Sequence, residues 1–181
     1  MNIKTAIRLI AVGFIFTLVN VNVTIGTSQI NFTPDFIGWI LICYACTKLG
    51  DYIKGKAYFT IGAILLAIID IAILVVGIFF PKFDLTWYTS GASLLSVIYI
   101  FLLLGLLEKI GKDKKYSDTA SIRILKYVYL TVFCIFQALA FASDLIPIEI
   151  LKVLIGISGG AALITALITA YVLVKMSLLI D

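Results

Sequence analysis

The chain has 181 residues, 62% of them apolar, with a formal net charge of +4 and a mean hydropathy of +1.16. Soluble domains run about 45–50% apolar, so a water-soluble fold of this composition would lack the polar surface to cover itself. There is no His, which removes the commonest metal ligand and general base, and the three Cys (Cys43, Cys46 and Cys134) all lie inside apolar runs, which argues against a disulfide scaffold.

Long apolar segments separated by polar clumps predict a multi-span membrane protein. Helix 1 is expected over Thr5–Asn20, behind Lys4 and containing Arg8. It begins like a signal peptide, but no small-x-small cleavage site follows, so it is read as an uncleaved first span. Gly13, Thr17 and Asn20 line up along it. The next stretch, "VNVNVTIGTSQINFT", alternates Val21, Val23 and Ile25 with Asn22, Thr24 and Gly26. Both a short hairpin and an ordinary ordered loop fit that pattern.

Helix 2, Pro34–Leu49, starts within "INFTPDFIGWILICYAC". Thr33 has the chemistry of an N-cap, Pro34 suits the first helical position, and Asp35 lies in the positive end of the helix dipole. The helix is shorter than the roughly 20 residues a span usually needs. Its Cys43-Tyr44-Ala45-Cys46 is a C-x-x-C, but redox pairs need an exposed thiolate of low pKa. Two thiols well inside a span are expected to be structural.

Helix 3, Ala57–Phe80, carries Asp70 in "GAILLAIIDIAILVVG". An ionised Asp at mid-span costs about 2.5–3.5 kcal/mol on insertion scales, so Asp70 is expected to face protein, water or a cation rather than lipid. Ala63, Ala67 and Gly77 on its own face let a neighbouring helix come close. Helix 4, Thr86–Leu107, presents Thr89, Ser93, Ser96 and Tyr99 as one stripe, above a wholly apolar "IFLLLGLL". Helix 5, Ile122–Ala142, places Gln137 seven residues before Asp144. Counted by rise per residue, these groups share a depth with Asp70. They predict a polar pocket open to one side and sealed on the other. The competing explanation is plain helix–helix hydrogen bonding, at about 0.6 kcal/mol per bond.

Helix 6, Ile148–Val174, contains Gly156-x-x-x-Gly160, and Ser158, Ala162, Ala166 and Ala170 continue at four-residue steps. Such small residues let backbones approach, either within one chain or against a membrane-protein partner or a second copy.

Charge fixes an expected orientation. With the N-terminus inside and six crossings, the inner segments hold Lys4, Arg8, Lys48, Lys54, Lys56, Lys109, Lys112, Lys114, Lys115, Arg123, Lys126 and Lys175, and the outer ones only Lys82 and Lys152. That is a strong positive-inside bias. All three prolines, Pro34, Pro81 and Pro147, then fall at outer corners. The basic "EKIGKDKKYSDTASIRILK" loop is read by default as a solvated topology determinant, with contact to anionic lipid or a cytoplasmic partner as the functional alternative. The expected fold is an all-α membrane protein, one six-helix transmembrane domain over residues 1–181, with both termini inside. No P-loop, H-E-x-x-H or G-x-S-x-G is present. No enzyme, cofactor, metal site or nucleic-acid partner is therefore expected.

Two resemblances extend this. "PDFIGWILI", Pro34 to Ile42, resembles the "LPDFIGY" signature of small multi-pass membrane proteins of Gram-positive bacteria, a family that implies a bacterial cytoplasmic membrane but no settled activity. Thr33 stands here in place of the usual apolar residue before the Pro. In helix number, length and an outward pocket, the chain is also similar to the substrate-binding S components of energy-coupling factor transporters. Those carry an Ala-x-x-x-Ala docking face on helix 1, which "KTAIRLIAVGFIFTL" lacks. The first functional expectation is binding of a small solute from outside, with transport as a further step that the sequence does not require, Asp70 as the charge or proton site and Gln137, Ser93, Ser96, Tyr99 and Asn20 as orienting groups. The alternative is a non-transporting accessory, regulatory or assembly subunit that docks through helix 6 and the basic loop.

Overall fold

A computed structural model describes residues 3–17, 21–25, 28–32, 35–49, 56–80, 85–141 and 148–180. Six helices follow the apolar segments: α1 (Ile3–Phe16), α2 (Asp35–Lys48), α3 (Lys56–Phe79), α4 (Thr86–Asp113), α5 (Thr119–Phe141) and α6 (Ile148–Leu179). Between α1 and α2 lies an antiparallel pair, β1 (Val21–Ile25) and β2 (Ser28–Phe32), with Val21 opposite Phe32 and Ile25 opposite Ser28. The alternating stretch is thus a hairpin, and α1 stops at Phe16 rather than reaching Asn20. Asn20, Thr33, Pro34 and Asp144 lie outside the described residues.

Four helices, α3 to α6, are long and apolar enough to cross a bilayer. At 14 residues each, α1 and α2 reach only about 21 Å, against a hydrocarbon core of about 30 Å. Each helix packs on its chain neighbours, β2 touches α3, and α6 closes back onto α1. The result is a closed ring of antiparallel helices. Its outer wall is oil: Ile61, Leu65, Ile68, Leu95, Ile98, Leu102, Ile164 and Leu167 are all exposed. A surface so uniformly apolar matches lipid rather than water.

One end of the ring gathers the basic residues at the start of α1, the end of α2, the α4–α5 connection and the end of α6. There α4 runs past Leu107 to Asp113 and stops in a tight cap. The amides of Lys114 and Tyr116 donate to Ile110 O and Gly111 O, and Lys115 has φ 53°, the left-handed position usually given to Gly. Glu108 Oε1 accepts from Lys112 Nζ and Arg123 Nε at 2.8 Å, and Oε2 accepts from Lys126 Nζ at 3.2 Å. Arg8 Nε donates to Ser177 Oγ at 3.2 Å, joining α1 to α6, and Lys175 Nζ lies 3.4 Å from Asp118 Oδ2. Beneath this end Ile7, Ile10, Leu49, Leu103, Leu104, Leu107, Ile122, Leu173 and Met176 are fully buried. This half of the ring is a solid apolar plug.

Candidate functional site: an acidic, aromatic-walled cavity

The other half of the ring is hollow. A cavity of about 410 Å³ lies at the hairpin end, lined from α2 by Asp35 and Trp39, from α3 by Asp70, Ile73 and Leu74, and from α4 by Thr89, Ala92, Ser93, Ser96, Val97 and Ile100. Tyr129, Phe133, Phe136 and Gln137 come from α5, Gly159, Ala162 and Leu163 from α6, and Thr17 from just beyond α1. Thr17 and Asp35, the nearest described residues on either side of the hairpin in the chain, both border the cavity.

Helical spacing explains which side chains arrive there. Asp35 and Trp39 are four residues apart, as are Thr89 and Ser93, Tyr129 and Phe133, and Phe133 and Gln137; such pairs share a helix face. The α2 face is set by its contact with α1. A Cβ on Gly38 would lie 2.5 Å from Gly13 O and 2.6 Å from Thr17 Cγ2, and a Cβ on Gly13 would lie 2.7 Å from Gly38 O. Only two glycines let these backbones touch, and the contact turns Asp35 and Trp39 toward α3. Trp39 is 1% exposed. Its indole nitrogen sits beside the Asp70 carboxyl without reaching hydrogen-bond geometry. Trp39 Nε1 and Asp70 Oδ2 are both buried and unpartnered among the described residues. Asp35 and Asp70 line the same cavity, and its described lining residues include no Lys or Arg.

Asp70, Gln137, Ser93 and Ser96 therefore border one space. Ser96 Oγ also donates to Ala92 O at 2.9 Å, a bond along its own helix that leaves the hydroxyl's acceptor capacity open. Tyr99 does not line the cavity. At 100° per residue it lies about 120° around α4 from Ser93, and its hydroxyl donates to Phe59 O at 2.8 Å, with Cys46 Sγ 3.9 Å away. Its ring stands edge-on to Trp39, centroids 5.5 Å apart, so Tyr99 buttresses the Trp39 wall from behind. Cys43 and Cys46 are free thiols, Cys46 buried.

The helix 6 stripe divides. Ser158, Ala162, Ala166 and Ala170 are buried in the ring, and Ser158 Oγ donates to Ile155 O. Gly156 and Gly160 face outward, with nothing within 4 Å of where a Cβ would stand. Sequence reasoning missed Asp35, Trp39 and the α5 aromatics as cavity residues. The i, i+4 spacing of Asp35 and Trp39 was the available signal, but Asp35 had a sufficient explanation as a helix-end charge.

The class of protein follows from length and surface: six helices, four of them able to cross a bilayer and all apolar outward, as in a multi-pass membrane protein. Comparison with protein-family models, with curated proteins and with solved structures found no match for the chain.

Proposed function

We propose that the chain crosses a bacterial cytoplasmic membrane six times, both termini inside, and binds and carries a small solute through the hairpin-end cavity. The observation that carries this is the cavity itself. Its volume lies within the usual range for ligand pockets, about 300–1,000 Å³, and buried polar atoms of its lining residues have no partner among the described residues. Intramembrane ionisable groups facing a cavity mark solute and ion pathways. The basic residues at the plugged end support an outward-facing cavity by the positive-inside bias. Local thinning of the bilayer accommodates the short α1 and α2.

The test is thermal stability of the purified protein against a solute panel of mixed charge. Wild type should be stabilised by at least one class of solute. Asp70→Asn should lose that stabilisation while keeping the unliganded melting temperature within a few degrees. A wild-type protein indifferent to every class would contradict the proposal.

One observation favours a second reading, an accessory subunit. Gly156 and Gly160 form an open small-residue face of the kind against which membrane helices pack. Ala6 and Ala11 of α1 are buried in the ring, so docking would use α6. Under this reading, Gly160→Leu abolishes partner co-purification and Asp70→Asn does not.

A further inference from the structure

We propose that the occupant of the cavity is a small organic cation, an amine bearing an apolar group, whose ammonium is held between Asp35 and Asp70. The proposal rests on the solute-binding reading above and names its substrate class.

Three observations lead there. First, Asp35 and Asp70 line one space, and its described lining residues include no Lys or Arg. A carboxyl in a low-dielectric site stays charged only beside a cation or strong donors and is otherwise protonated; the described wall supplies no cation, so a cationic ligand is the group that would keep this pair ionised. Second, Trp39 lines the cavity at 1% exposure, yet its Nε1–H, beside the Asp70 carboxyl, has no hydrogen-bond partner among the described residues. Buried donors are nearly always satisfied. This one is placed to bond Asp70 once the carboxylate is drawn toward a ligand, or to bond an oxygen on the ligand itself. Third, Tyr129, Phe133 and Phe136 join Trp39 around the same space, with Tyr129 and Phe133 stacked at 4.2 Å. Aromatic walls attract ammonium groups and cover apolar substituents.

A bare metal ion fits less well. Hard cations take about six to eight oxygen ligands, and the described residues hold no cluster of three or more acidic, Cys or His side chains. A space of about 410 Å³ walled by aromatics suits an organic body.

The chain has two tryptophans, and Trp87 is 73% exposed. A Trp87→Phe variant therefore leaves Trp39 as the one indole reporter, at the cavity wall. This protein, in nanodiscs at neutral pH, is titrated with 2-phenylethylamine, neutral 2-phenylethanol and anionic 3-phenylpropionate. The amine alone should give a saturable change in Trp39 emission. Asp35→Asn or Asp70→Asn should each weaken binding by about tenfold or more, the equivalent of one charge-assisted bond, and Asp35→Glu should retain it. The charge series on the unmutated acids needs no variant of either Asp, so a folding defect cannot hide the answer. Equal or tighter binding of the alcohol or the acid would overturn the cation assignment and leave the solute reading standing. Silence toward all three, and toward choline and putrescine, would overturn both.

Discussion

Gly38 and Gly13 show how one missing carbon positions a site. Their backbones touch where a methyl group would collide with a carbonyl oxygen, and that contact aims Asp35 and Trp39 at the cavity. Overpacking costs about 1–3 kcal/mol, so Gly38→Ala should lower the melting temperature and weaken solute binding together. Gly156→Ala, on an open face, should change neither; equal effects from the two substitutions would contradict the packing argument. At this scale the sequence was partly legible. Asp70, Ser93, Ser96 and Gln137 were readable because an isolated polar side chain in an apolar run has few places to go. Tyr99 was misplaced because a three-residue step from Ser96 looks like one face, while two such steps from Ser93 rotate it away. The role of Gly38 depends on where α1 crosses α2, which no local pattern encodes.

Among the elements, α6 carries two faces that the sequence presented as one stripe. Ala166 is 0% exposed, so Ala166→Leu should unfold or strongly destabilise the monomer. Gly160→Leu should leave monomer stability unchanged and alter only association, read by cross-linking or co-purification. The α4–α5 connection was expected to be a solvated loop; instead α4 gains nearly two turns because Glu108 gathers three cations. Glu108→Gln removes the charge of a side chain 8% exposed that bonds Lys126, 13% exposed, and the half-exposed Lys112 and Arg123, and should cost about 1–2 kcal/mol, measurable by chemical denaturation. Lys115, at φ 53°, predicts the reverse sign. Lys115→Gly relieves a left-handed side chain and should stabilise by about 0.5–1 kcal/mol. Ser121 and Lys175 hold the Asp118 carboxyl below the usual carboxylate range. The stability this adds is present at neutral pH and is lost as pH falls through that lowered value. Asp118→Asn should remove this part of the acid sensitivity.

At the scale of the whole molecule, the sequence predicted six helices, and the described residues form six, but their lengths are unequal in a way that matters. The alternating Val and Asn residues after α1 form a hairpin because they continue neither an apolar span nor a helical period. Shortening α1 and α2 leaves a recess at the hairpin end, and the polar stripes of the longer helices meet there. The apolar "IFLLLGLL" of α4 lies in the plug that closes the opposite half. The gathering of two carboxyls, an amide and several hydroxyls around one space therefore follows from unequal helix lengths as much as from residue choice.

Accessibility at Ser93 tests this arrangement most directly. In a background with Cys43, Cys46 and Cys134 replaced by Ala, Ser93→Cys is treated in intact cells with a membrane-impermeant thiol reagent. A cavity open to the exterior predicts rapid labelling from outside, slowed by a bound amine, with Leu104→Cys in the plug unreactive. Labelling of Ser93→Cys only after the cells are opened, or no labelling at all, would contradict it.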